Sequence, residues 1–109
     1  MKTAPLLRQY AHLQRQLAAI GWISHGSVQD RGPGAGGPCY QWTRKEKGKT
    51  VTVALSAEQY TELKAAIENW RRLQKILREM QRLSRQRIFQ SIPPPSRRKR
   101  LSHKVLGLN

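Results

Sequence analysis

Residues 39–59 read CYQWTRKEKGKTVTVALSAEQ, and the fold follows from how that stretch divides. Tyr40, Trp42 and Arg44 alternate with Cys39, Gln41 and Thr43. After Lys47-Gly48, Val51, Val53 and Leu55 alternate with Thr50, Thr52 and Ala54. A period of two is the mark of a strand, and Lys-Gly between two such runs supplies a turn. A two-residue loop at Lys47-Gly48 pairs Trp42 with Val53 and Tyr40 with Leu55. A four-residue loop keeps the same parity, whereas a three-residue loop opposes apolar to polar positions unless a bulge corrects it. The expectation is a hairpin with Tyr40, Trp42, Val51, Val53 and Leu55 on one buried face. Ser56-Ala-Glu-Gln59 then forms a capping-box pattern, with Ser56 as N-cap and Gln59 reaching back. A helix therefore starts where the second strand stops.

That second helix continues to about Arg87. Leu63, Ile67, Trp70, Leu73, Leu77 and Met80 recur along one face at helical spacing. On another face stand Arg71, Lys75, Arg78, Arg82 and Arg85, separated by four, three, four and three residues, with Arg72 and Arg87 beside them and Glu79 as the one acid from 71 to 87. At 1.5 Å per residue the five cations cover about 21 Å, the rise of about six base pairs. Coiled-coil flanks usually interleave Glu with Lys, and this face does not. Pro93-Pro94-Pro95 stops any helix and gives an extended spacer. Arg97-Arg98-Lys99-Arg100 follows, and Leu101, Val105 and Leu108 share one side of a short helical stretch.

Upstream, Leu6, Tyr10, Leu13 and Leu17 predict a first helix from about Ala4 to Ile20. Thr3 stands as N-cap, Pro5 in the first turn, and Gly21 as the glycine that ends it. Trp22, Ile23 and Val28 give residues 22–30 a strand-like character. Residues 31–38, with four glycines and two prolines, read as a loop without regular structure. The loop lacks the Gly-Lys-Ser/Thr ending of a phosphate-binding P-loop. The fold class is α+β: an N-terminal helix, a small antiparallel meander or hairpin, a long amphipathic basic helix and an extended basic tail. Residues 1–90 are expected to form one domain, with a spacer and tail over 91–109.

Charge narrows the function. The 109 residues carry a formal net charge of +15. Residues 71–109 hold twelve basic side chains and one acid, a net of +11, while residues 1–70 hold nine and five, a net of +4. Such asymmetry calls for a polyanionic partner, and nucleic acid fits best. The expected phosphate contacts are Arg71, Arg72, Lys75, Arg78, Arg82 and Arg85, with Arg97, Arg98, Lys99 and Arg100 as a second anchor and Lys45, Lys47 and Lys49 at the hairpin tip. DNA and RNA, duplex and single strand, all satisfy this chemistry. The competing reading is an assembly or adaptor protein whose helix pairs through Leu73, Ile76, Leu77, Met80 and Leu83 with a second copy or a larger protein. An enzyme is not expected: His12, His25 and His103 lie far apart, no metal-ligand spacing is present, and no cofactor motif occurs. One cysteine, Cys39, excludes an intramolecular disulfide, and no apolar run approaches the length of a membrane span, so a cytoplasmic protein without a membrane partner is expected.

The run Gly36-Gly37-Pro38-Cys39-Tyr40-Gln41-Trp42, then Lys47-Gly48-Lys49-Thr50-Val51, Leu55-Ser56 and the Arg-rich helix, resembles a family of short basic bacterial proteins of unknown function. They share a Gly-Pro-aromatic strand, a tight basic turn, a second strand and a long helix, and are often encoded near transposases or other mobile elements. The resemblance covers about residues 22–87. It implies an accessory role in DNA or RNA transactions, within a mobile-element or other nucleoprotein complex, and carries over no site residue.

Overall fold

The computed structural model describes residues 4–34 and 37–109. Thr3, expected as the first N-cap, and Ala35-Gly36 in the glycine loop lie outside them. The elements are α1 (Ala4–Ala18), β1 (Ser27–Gly34), β2 (Gly37–Glu46), β3 (Lys49–Leu55), α2 (Ala57–Ser91) and α3 (His103–Leu106). The chain is thus α+β, with one antiparallel sheet in the order β1-β2-β3. Two compact units are formed, one from residues 20–72 and the other from residues 4–19 and 73–109.

In the first of these, β2 and β3 pair with Tyr40 opposite Leu55, Trp42 opposite Val53 and Glu46 opposite Lys49. The loop has two residues, one of the two lengths that parity allows. Lys47 and Gly48 both take positive φ, 48° and 81°, as a hairpin turn matched to strand twist requires. The apolar face is only half-covered, contrary to expectation, and Val53 is 39% exposed. Its aromatic side chains are held by specific contacts instead. The Trp42 indole N–H donates to the His25 carbonyl at 3.0 Å, the Arg44 guanidinium stacks 4.4 Å from the Trp42 ring centroid, and Tyr40 stacks on Tyr60 of α2 at 4.7 Å. Gly26 makes the indole contact possible. Its φ is +104°, and a Cβ there would lie 2.8 Å from the Thr43 carbonyl oxygen.

Strand β1 starts and ends later than the sequence suggests. Residues 22–24 are not in the sheet but bond to α2: the Ser24 N–H donates to the Ala66 carbonyl at 3.2 Å, and the Asn69 side-chain amide donates to the Trp22 carbonyl at 2.9 Å. Trp22 itself is 88% exposed. The glycine- and proline-rich segment enters the sheet through a shift of register between Asp30 and Pro33. There the Asp30 carboxylate accepts the Gly32 N–H at 3.0 Å, and Gly32 takes a φ of 77°. A local side-chain turn thus absorbs the breakers, so Pro33 still faces Pro38 and Gly34 faces Gly37.

The α2 cap forms as its pattern requires: the Ser56 N–H donates to Gln59 Oε1 at 3.0 Å and the Gln59 N–H donates to Ser56 Oγ at 3.1 Å. Ala66 and Ile67 are buried in this unit. In the other unit, Leu83 of α2 is 2% exposed and Leu6 of α1 is also buried; with Leu7, Tyr10, Ser84, Arg87 and Ile88 they line one recess. The apolar stripe is therefore shifted from the expected one: Leu77 stands exposed, while Ile76 is half-buried. Helix α1 ends at Ala18 rather than Ile20, and Gly21 does not take the left-handed conformation of a terminating glycine. Among the described residues, no helix is long and apolar enough to cross a membrane.

Candidate nucleic-acid interface

One face of α2 gathers Lys75, Arg78, Arg82 and Arg85 around a recess of about 520 Å³, which Glu79, Gln81 and Asn109 also line. Helical spacing alone accounts for this, since positions 75, 78, 82 and 85 fall within one narrow sector of the helix. Four cations in so small an area repel one another unless something holds and screens them. Neutral amides do much of the holding. Arg85 donates to Gln81 Oε1 at 3.1 Å, and Arg82 donates to Gln86 Oε1 at 3.2 Å. An amide oxygen orients a guanidinium without cancelling its charge.

The exception is Arg82. Its Nε donates to both Glu79 oxygens at 3.1 Å, and Nη2 closes the fork on Oε1. The hydrogen bonds from Arg82 hold the Glu79 carboxyl below its usual value, against the opposing effect of burial, and hold the guanidinium more firmly protonated. Among the described residues the ion pairs are this one and Arg44–Glu46 on the hairpin. Among the described residues, Lys75, Arg78 and Arg85 meet no carboxylate within salt-bridge distance.

The tail belongs to the same unit. Residues 93–95 form the expected spacer without helix or strand, and a turn follows at residues 96 and 97, where the Arg98 N–H donates to the Pro95 carbonyl at 3.1 Å. The chain then returns to α2. Ser102 caps α3, Gly107 takes a φ of 72°, and Leu108 is buried. Arg85 donates to the Gly107 carbonyl at 3.5 Å. The four-cation run is therefore not a free arm. Arg98, Lys99 and Arg100 line a second recess with Phe89, Gln90 and His103, and the Arg98 guanidinium sits 5.8 Å from the Phe89 ring centroid. All of Arg97, Arg98, Lys99 and Arg100 are exposed.

The remaining expected contacts stand in the unit of residues 20–72. Arg71 and Arg72 are exposed, and Arg72 donates to Asn69 Oδ1 at 2.8 Å, which helps fix the amide that holds the Trp22 carbonyl. Lys45 and Lys49 project from opposite faces of the hairpin, because Lys45 pairs with Thr50 and Lys49 with Glu46, while Lys47 sits in the turn. The three lysines do not make one patch. Sequence reading missed Gln81, Gln86 and Asn69, although their spacings of three or four residues from Arg85, Arg82 and Arg72 are the signal for such pairs. It missed the returning tail too, although Ser102 followed five residues later by Gly107 is a cap-to-cap pattern.

Comparison of the chain with protein-family models, with curated proteins and with solved structures gives no match.

Proposed function

We propose that this protein is a non-catalytic nucleic-acid-binding accessory that grips the phosphate backbone through α2 and the returning tail. The reading rests on one observation: Lys75, Arg78 and Arg85 share a face with a single acid, and that acid is taken by Arg82. A solvated surface normally mixes signs. Here the neutral Gln81 amide holds the Arg85 guanidinium, and its charge stays available for bidentate phosphate contact. Arg97 to Arg100 add a second cluster on the same unit.

Lys75 and Arg78 are the cleanest positions to test, because neither donates a side-chain hydrogen bond within the described residues. Lys75→Gln with Arg78→Gln keeps good helix formers at both sites. The expected result is weaker binding to any sequence, with the salt slope shallower by about 1.8 on duplex DNA, two phosphates at about 0.9 each. Unchanged affinity and slope overturn the proposal.

A docking role on a larger protein is favoured by a separate feature. Leu77, Ile88, Phe89 and Ile92 are exposed in the same unit. Leu83, which pairing through α2 would require, is instead sealed within the chain. A purified, nuclease-treated protein that captures no nucleic acid at low salt supports that role over the first.

A further inference from the structure

The two edges of the sheet differ in kind. At β1 the register shifts between Asp30 and Pro33, Gly32 is left-handed, and Pro33 has no N–H to offer. These devices blunt an edge. Strand β3 has none of them. It runs Lys-Thr-Val-Thr-Val-Ala-Leu over Lys49–Leu55 without a bulge, a proline or a glycine. Its outward groups follow from the turn. Glu46 and Lys49 flank a two-residue loop and form a hydrogen-bonded pair, so Val51, Val53 and Leu55 also bond to β2, and Thr50, Thr52 and Ala54 point their N–H and C=O outward. Those three residues are exposed, and no other backbone group among the described residues bonds to them.

We infer that β3 is the docking edge for a second copy of this chain, paired antiparallel about a two-fold axis at Thr52. The register is self-complementary. Thr52 meets its own copy, Thr50 meets Ala54, Val51 meets Val53 on the aromatic face, and Lys49 meets Leu55. Each outward residue then gains both backbone bonds, about six in all. Charge fits as well. Gly48 falls opposite the partner's Ser56, so Lys47 and Lys49 lie alongside the partner's first turn of α2, which carries Glu58. The two-fold axis repeats that opposition at the other end. Centring on Thr50 sets Lys47 and Lys49 against valines, and centring on Ala54 drives the strand into α2. Neither alternative keeps the match.

The test uses the full chain, nuclease-treated and in high salt. Light scattering is expected to give twice the 12.5 kDa of one chain, and Thr52→Pro, which removes an outward N–H and the hydroxyl contact to Thr43 but no backbone bond to β2, to give 12.5 kDa with an unchanged circular dichroism spectrum. A second readout stands if that variant misfolds. With Cys39→Ser as background, Thr52→Cys places two sulfurs across a pair whose Cα atoms are about 5.5 Å apart, within disulfide reach. It should cross-link on mild oxidation while Thr50→Cys does not. A monomeric wild-type chain overturns the inference. So does equal cross-linking at Thr50 and Thr52, or a folded Thr52→Pro variant that stays dimeric.

Discussion

Glu79→Gln should tighten nucleic-acid binding. Glu79 is the one acid lining the cationic recess, and it engages Arg82 through Nε and Nη2. In the wild type one guanidinium is therefore spent on a carboxylate. Glutamine keeps the helix propensity and an acceptor oxygen but removes the charge. Arg82 then becomes available to phosphate, and the net charge of the recess rises by one unit. One more neutralised phosphate steepens the salt dependence by about 0.9 on duplex DNA or about 0.7 on a single strand, and lowers Kd several-fold at moderate salt. Loss of fold is small, because a surface pair three residues apart contributes about 0.3–0.5 kcal/mol, roughly 2 °C in Tm. Fluorescence anisotropy of a labelled oligonucleotide over a salt series measures the first effect and a circular dichroism melt the second. Glu46→Gln on the hairpin makes the same change of net charge in the other unit, and should leave the slope unchanged. If Glu79→Gln binds more weakly, or matches Glu46→Gln, the reasoning fails.

Other consequences are as specific. Ser56→Ala removes one half of the reciprocal cap and should cost about 1 kcal/mol, read as a lower midpoint in chemical denaturation. Gly26→Ala forces a Cβ toward the Thr43 carbonyl at a φ of +104° and should cost at least about 1 kcal/mol, with a change in Trp42 fluorescence as the indole loses its place. Leu108→Ala should free the tail from α2, seen as faster trypsin cleavage at Arg97 to Arg100. The pH dependence has a definite sign: because the folded Glu79 pKa is lowered, its pairing stabilises above the ordinary carboxylate range and is lost as pH falls through the lowered value. The difference in Tm between wild type and Glu79→Gln should therefore vanish below that range, and their nucleic-acid affinities should converge there.

The hairpin and the start of α2 were legible because their signals are local and redundant. Parity across Lys47-Gly48 fixes the register, and Ser56 with Gln59 fixes the helix start. Strand β1 was misplaced because its ladder depends on a contact composition does not reveal. The Asp30 carboxylate turns the chain at Gly32 and lets two prolines and several glycines lie within strands. Trp22 looked like a strand residue by propensity, but Ser24 and Asn69 tie that segment to α2 instead. The cationic face was readable from spacing. The return of the tail is not local in the sequence, since a four-residue helix has no stability of its own and depends on burying Leu108.

The central claim is that the charge of α2 and the tail meets a phosphate polymer. The slope of log K against log salt for the full chain tests it most directly. About eight phosphates neutralised on duplex DNA predict a slope near −7; a slope near zero, with affinity indifferent to salt, contradicts the claim.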